Sequence, residues 1–124
     1  MSNEPITLSQ IADEALITLS ESLRMATPEA KVKKKVTKAL EEVGAYYFYP
    51  ATGGYGKSGV PDVIACYQGR FFGIECKAGN NKPTALQAKN LGEIHEAGGF
   101  SIVVNEENVH NLLPLMVAWV NEET

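Results

Sequence analysis

Apolar residues recur at helical spacing in three parts of the chain and predict three helices. The second is predicted to begin at Thr27-Pro28, because threonine suits the N-cap and proline suits the first helical position. It is predicted to end at Gly44, since glycine tolerates the left-handed backbone that closes many helices. The third covers residues 85–97. The first covers residues 8–23, and its apolar stripe consists of Ile11, Ala15, Leu19 and Leu23.

Four short β-prone segments are interspersed with these helices and predict strands. They cover residues 45–49, 63–67, 71–77 and 100–104. A helix connects the last two strands, so they are predicted to be parallel and joined by a right-handed crossover. The tail over 106–121 is predicted to be helical, with an interruption or restart at Pro114. The pattern therefore predicts an α/β fold, a mixed four-stranded sheet flanked by helices.

Length and charge narrow the class of protein. The chain has 124 residues, which fits one compact domain. Its net charge of −4 argues against a protein that coats DNA without specificity. Lysines nevertheless crowd into one short segment, which is either a phosphate-binding face or a solvated helix surface, and charge alone does not decide between them. They are Lys31, Lys33, Lys34, Lys35 and Lys38.

Targeting signals and cysteines both fit a protein of the cytoplasm. The N-terminal sequence lacks a basic segment followed by an apolar run, and no apolar stretch is long enough to span a bilayer. We therefore expect a cytoplasmic protein with no membrane partner. Cys66 and Cys76 are too few and wrongly spaced for a zinc cluster, and they are predicted to be buried, reduced thiols.

Two carboxylates and a lysine are predicted to share one face of a hairpin. If Gln68-Gly69 forms a two-residue turn, counting outwards places Asp62 directly opposite Glu75, with Cβ atoms about 5 Å apart. Lys77 lies on the same face as Glu75, because side chains alternate along a strand. Opposed like charges destabilise a sheet unless something compensates them. The compensation is either a divalent cation, for which such oxygen-rich sites suit Mg²⁺ or Mn²⁺, or Lys77 alone in a structural ion-pair cluster.

A metal held by these carboxylates would polarise a phosphoryl oxygen and activate water, and a lysine would stabilise the developing negative charge. The sequence therefore predicts a metal-dependent nuclease. Glu29 lies on the inward stripe of its helix, and is either a third acidic group of the site or a carboxylate favoured by the helix dipole. Gln87 either faces the site or only forms a capping box with Thr84.

The Gly-rich segment from Ala51 to Ser58 departs by one residue from the phosphate-binding P-loop pattern, with alanine in place of the first glycine. A P-loop leads from a strand into a helix, whereas a β-prone run follows here, so a P-loop-like nucleotide-binding protein is the weaker alternative and no nucleotide cofactor is expected. The segment is either a DNA-contacting loop or a flexible connector. As a DNA-contacting loop it would use Tyr55, Lys57 and Ser58.

These residues together carry a family pattern. The motifs G-V-P-D at 59–62, I-E-C-K at 74–77 and T-x-x-Q at 84–87 resemble the PD-(D/E)xK nucleases, and within them the VRR-NUC family. The segment G-A-Y-Y-F-Y-P and the glycines after it are similar to stand-alone phage members of that family. The resemblance implies a restriction-endonuclease-like core over about 27–105. The whole chain, 1–124, is then a single nuclease domain, with an extra N-terminal helix over 1–26 and a helical tail over 106–124.

The resemblance also implies roles for individual residues. Asp62 and Glu75 match the metal ligands, with the backbone carbonyl of Cys76 assisting, and Lys77 matches the catalytic lysine. Gln87 and Glu29 match the glutamine and the acidic residue on the flanking helices. The metal is expected to be Mg²⁺ or Mn²⁺. The three intact residues Asp62, Glu75 and Lys77 argue against the other alternative, a non-catalytic DNA-binding protein.

Stand-alone members of the family suggest a homodimer that cuts branched DNA such as Holliday junctions, in the host cytoplasm if a phage encodes the chain. Further lysines, Lys34, Lys35 and Lys82, are predicted to contact the DNA.

Overall fold

The computed structural model describes residues 27–51 and 56–122, together with Thr7, Leu8 and Ala12. Two predictions lie outside the described residues. One is the helix over 8–23, whose apolar stripe residues Ile11, Ala15, Leu19 and Leu23 are among those not described. The other is the DNA contact of Tyr55.

The described part of the chain contains three α-helices, one short 3₁₀ helix and four strands. Each predicted strand, and each of the helices predicted at Thr27-Pro28 and over 85–97, is found to within two residues at either end. In chain order the elements are α1 (Pro28–Glu42), β1 (Tyr46–Phe48), β2 (Val63–Tyr67), β3 (Arg70–Cys76), α2 (Ala85–Glu96), β4 (Phe100–Val104), the 3₁₀ helix (Val109–Asn111) and α3 (Leu112–Glu122).

Helix α1 has the end signals that the sequence predicted. The Thr27 hydroxyl accepts a hydrogen bond from the Ala30 N–H at 3.2 Å, which satisfies one of the free donors of the first turn. Pro28 occupies the first helical position, and Gly44 adopts a left-handed φ of 74° beyond the last turn. The start of α1 is thus fixed locally, and this positions Glu29.

The four strands form one sheet in the order β1-β2-β3-β4. The first three strands are antiparallel and β4 is parallel to β3, so the sheet is mixed and the predicted α/β class is confirmed. Gln68 and Gly69 have φ values of 52° and 75°, the left-handed conformation that a two-residue type I′ turn requires at both positions. Val63 pairs with Ile74, and continuing this register outward places Asp62 opposite Glu75.

The two faces of the sheet have different neighbours. The first face packs against α1 and α3 and forms the core, which consists of Val32, Val36, Leu40, Val63, Ala65, Phe72, Ile74, Cys76, Val104, Leu112 and Met116. The second face carries the alternate residues of the same strands and meets α2. A Cβ atom at Gly73 on this face would lie 2.6 Å from Cδ1 of Ile94, so glycine allows α2 to approach the sheet closely. Asp62 and Glu75 belong to the second face by the strand register.

Two predictions about the fold need correction. Cys66 is exposed, not buried, because it lies on the second face near the hairpin end, where its pairing partners Tyr46 and Phe71 are exposed as well. Helix α3 begins at Leu112 and not at Pro114. Pro114 lies in the first turn, where the missing N–H of proline breaks no helical hydrogen bond. None of the helices among the residues described is long and apolar enough to cross a membrane.

Candidate active site

Three carboxylates from three different elements meet at one end of the sheet. Glu29, Asp62 and Glu75 each have an oxygen within 4.8 Å of the others. Glu29 lies in the first turn of α1, Asp62 directly precedes β2, and Glu75 lies in β3. Glu29 is exposed, Asp62 is half-buried and Glu75 is buried, so the cluster leads from solvent into the protein.

Glu75 is the unusual member of this cluster. Its side chain is 1% exposed, and neither of its carboxylate oxygens has a hydrogen-bond partner among the described residues. Burial, reinforced by the neighbouring Asp62 carboxylate, raises the pKa of Glu75 from 4.5 to about 8, and the Lys77 ammonium opposes this shift. A buried, unpartnered carboxylate is costly unless a proton or a cation compensates it.

Backbone and side-chain contacts hold Asp62 in place. Its Oδ2 accepts a hydrogen bond from the Cys76 N–H at 2.8 Å, so the residue between Glu75 and Lys77 also orients Asp62. The thiol of Cys76 points into the core, and burial raises its pKa to about 12. Only a thiolate is a good metal ligand, so Cys76 can contribute to the site through its backbone alone.

Two lysines lie beside the carboxylates. The Lys77 Nζ is 3.9 Å from Glu75 Oε1, and its side chain is 15% exposed. The Lys33 Nζ is 4.0 Å from Asp62 Oδ1 and 5.4 Å from the centre of the Tyr49 ring. The sequence analysis did not assign Lys33 to the site. The signal that could have found it is its spacing, since Lys33 follows Glu29 by four residues and therefore shares its side of the helix.

Gln87 takes part in the capping box of α2. Its side-chain oxygen accepts a hydrogen bond from the Thr84 N–H at 2.9 Å, and the Thr84 hydroxyl accepts one from the Gln87 N–H at 3.2 Å. Gln87 therefore caps α2, as one of its two predicted roles required. A role of Gln87 at the site stays a prediction.

The predicted DNA-contacting residues fall into separate groups. Lys34 and Lys35 line a groove of about 520 Å³ along α1, and Lys82 lies exposed in the loop after β3. Lys57 lies elsewhere and pairs with Glu93 of α2 at 2.6 Å. The Ser58 carbonyl also turns towards α2 and accepts a hydrogen bond from the Asn90 side chain at 3.0 Å. The structure thus brings Lys34 and Lys35 together in one groove, whereas Lys57 and Ser58 contact α2.

The Gly-rich segment does not continue as a P-loop. After Lys57 and Ser58 the chain makes a turn, in which Gly59 has a φ of 76°, and then enters β2. A P-loop presents phosphates to the N-terminus of a following helix. In the part of the chain described between Gly56 and β2 there is no such helix, as the sequence predicted.

Three comparisons relate the chain to known proteins, and two of them find matches. A scan against models of protein families finds no match. A protein of Acyrthosiphon pisum secondary endosymbiont phage 1, named "Putative nuclease p44", is 29% identical over 89 residues, covering 69% of this chain and 91% of that protein. A solved structure described as a VRR_NUC domain matches with a TM-score of 0.62 at 24% identity, covering 72% of this chain and 97% of the other. The chain has the VRR-NUC fold, and the predicted resemblance to that family is confirmed.

The metal-free protein is expected to lose stability as the pH rises. Between pH 4.5 and about 8, folded Glu75 retains a proton that the unfolded chain has lost, so each upward step in pH favours unfolding. This stabilising contribution is fully present below the lower value and is lost above the higher one. Glu75→Gln keeps the shape of the side chain but cannot ionise. At alkaline pH it is expected to be more stable than the wild type, by up to roughly 5 kcal/mol.

Chemical denaturation in a chelator at a series of pH values measures this difference. Glu96→Gln, which alters an exposed carboxylate of α2, serves as the matched control and should follow the wild type. If wild type and Glu75→Gln show parallel pH dependence, the pKa of Glu75 is not raised in the folded protein.

Proposed function

We propose that the chain is a metal-dependent DNA endonuclease that hydrolyses phosphodiester bonds. The observation that carries this proposal is the buried Glu75 carboxylate, without a hydrogen-bond partner among the described residues, beside the carboxylates of Asp62 and Glu29. The VRR-NUC fold and the phage relative named as a nuclease support it.

The residues present fit a hard divalent cation. Carboxylate oxygens are the ligands that Mg²⁺ and Mn²⁺ prefer, and a cation would compensate the two Glu75 oxygens, which lack a hydrogen-bond partner among the described residues. Asp62 and Glu75 would hold the ion. The family resemblance adds the backbone carbonyl of Cys76, and Glu29 offers a third carboxylate. When bound, such an ion polarises the phosphate and lowers the pKa of a water molecule.

The protein's own groups prepare the site for this reaction. Asp62 is oriented by the Cys76 N–H, so the position of one ligand depends on the backbone of β3. Lys77 carries a sheltered ammonium next to Glu75, where it can stabilise the negative charge that develops on the phosphate. The side-chain oxygen of Gln87 already accepts a hydrogen bond in the helix cap. We therefore propose that the side-chain NH₂ of Gln87 is the group that contacts the substrate.

The DNA backbone is proposed to lie along the lysines of α1. Lys31, Lys34, Lys35 and Lys38 line one groove that begins at Pro28, next to Glu29. Lysines neutralise phosphates without reading sequence, so this groove would position a strand for cleavage. Tyr55, Lys57, Ser58 and Lys82 are proposed as further contacts. The preference for branched DNA such as Holliday junctions, the homodimer and the host cytoplasm as the setting are proposed from the family resemblance.

A cleavage assay with labelled linear, flapped and four-way DNA tests the proposal. We expect cutting in Mg²⁺ or Mn²⁺, none in a chelator, and faster cutting of the branched substrates. No metal-dependent cutting of any of these DNAs would refute the enzyme. Tight DNA binding without cutting would instead identify a non-catalytic DNA-binding protein.

A further inference from the structure

The second face of the sheet is uncovered near the hairpin end and exposes aromatic rings. Tyr46, Phe48 and Phe71 are 72%, 46% and 47% exposed. The strand register places all three on this face, since Cys66 pairs with Tyr46 and Phe71, and Ile64 pairs with Phe48. Exposed rings grouped on one sheet face are unusual on a surface with no binding role.

A cavity of about 610 Å³ opens on this face. Phe48, Ile64 and Phe71 of the sheet form one wall, and Ile94 of α2 forms another. Its volume lies within the range of pockets that take small molecules. Most of the lining is apolar, and the charged groups on it, Lys57 and Glu93, form an ion pair.

The cavity lies next to the candidate active site along the second face. Pro61 lines it and directly precedes Asp62. Ile64 follows Asp62 by two residues on the same face, a separation of roughly 7 Å along a strand. A DNA strand with a phosphate at Asp62 and Glu75 would therefore bring a neighbouring nucleotide to the mouth of the cavity.

We propose that this cavity binds an unpaired nucleobase of the DNA strand being cut, so that the enzyme selects DNA with unstacked bases beside the cleaved phosphate. This inference rests on the proposed function. Aromatic side chains stack on any base, which suits a nuclease that recognises structure and not sequence. A base paired within a duplex cannot enter the cavity, whereas a base at a flap, bulge or junction can.

The charges at the cavity fit the same occupant. The Lys57–Glu93 pair is 64% and 46% exposed, and exposed pairs of this kind contribute little to stability. Lys57 can therefore exchange Glu93 for the phosphate of an entering nucleotide at little cost.

Binding of two matched DNAs tests the inference. One is a fully paired duplex and the other is the same duplex with a short unpaired thymidine tract, and fluorescence anisotropy in a chelator measures binding without cleavage. The Phe48→Ala/Phe71→Ala protein is expected to bind the unpaired DNA about tenfold more weakly and the paired duplex unchanged. Phe48→Tyr/Phe71→Tyr, which keeps the rings, should restore the preference for unpaired DNA.

Leu115→Ala/Val117→Ala is the matched control, because these residues are 42% and 41% exposed on α3, which packs on the other face of the sheet. It should behave as the wild type. Equal losses on both DNAs, or no loss, overturn the inference, and melting curves show whether each variant is folded. A lower molecular mass of the alanine variant in light scattering also overturns it, because a second copy of the chain would then be the occupant.

The same samples separate this inference from the proposed function. If the protein cuts DNA with metal but shows no preference for unpaired bases, only the proposal that the cavity binds a base is refuted. If the aromatic rings confer a preference for unpaired DNA but the protein does not cut DNA, only the proposed nuclease activity is refuted.

Discussion

Glu75→Ala is expected to abolish metal-dependent DNA cleavage, with a loss of at least about 10³-fold in the single-turnover rate. A bound metal supplies several kcal/mol of charge stabilisation in the transition state, and each 1.36 kcal/mol is a factor of ten. Glu75 is the carboxylate whose removal is expected to weaken metal binding most, because it is buried and its oxygens have no hydrogen-bond partner among the described residues. Its loss would leave only Asp62 and the exposed Glu29 of the three carboxylates in the cluster.

Three measurements belong with this substitution. The cleavage rate at saturating Mg²⁺ gives the effect itself. Glu96→Ala, which removes an exposed carboxylate of α2, should leave the rate unchanged. A metal titration followed by melting temperature should show stabilisation of the wild type by Mg²⁺ or Mn²⁺ and none for Glu75→Ala. Cleavage by Glu75→Ala within tenfold of the wild type would contradict the assignment of Glu75 as a metal ligand.

The same residue links activity to stability. Without metal, Glu75 destabilises the folded state at alkaline pH, so an inactive Glu75→Gln protein should also be the more stable one. Residues that merely pack in a core show the opposite behaviour, because their removal lowers both properties.

Lys77→Met is expected to slow cleavage by about 10²- to 10³-fold while leaving metal binding largely intact. The methionine side chain keeps much of the length and apolar stem of lysine and removes only the charge. Lys77 is sheltered, with its Nζ 3.9 Å from Glu75 Oε1, whereas Lys33, the other lysine near the cluster, lies beside Asp62. Single-turnover cleavage at saturating Mg²⁺ measures the loss, and melting temperatures with and without metal measure binding.

The control for this charge is Lys89→Met, because Lys89 is exposed on α2 and is not assigned to the site. It should cut DNA at the wild-type rate. If Lys77→Met instead loses metal stabilisation as completely as Glu75→Ala, Lys77 holds the ligands in place. It would then not stabilise the transition state.

The hairpin could be predicted from sequence because its geometry follows from local rules. A two-residue turn fixes the strand register, and the alternation of side chains then decides which residues share a face. Gln68 was an uncertain part of that turn, since non-glycine residues seldom adopt its φ of 52°. The glycine after it and the β-prone runs on both sides were sufficient to place Asp62 opposite Glu75.

Features that depend on how elements pack could not be predicted in this way. Helical periodicity placed Glu29 on the inward side of α1, but the position of Lys33 beside Asp62 depends on how α1 is rotated on the sheet. Alternation placed Cys66 on a face, but its exposure depends on how far α2 extends over that face. The burial of Glu75 likewise depends on several elements that meet only in the folded chain.

Cys76 contributes both to the core and to the candidate site. Its side chain fills the centre of the core, and its N–H fixes the carboxylate of Asp62. A larger or smaller residue at this position would move the backbone that joins Glu75 to Lys77, so a change made for packing also alters the alignment of the reacting groups. Mutation at this position therefore cannot improve the interior and the chemistry independently. We expect substitutions there to be confined to side chains of nearly the same volume, even though the thiol lies in the core and not among the carboxylates.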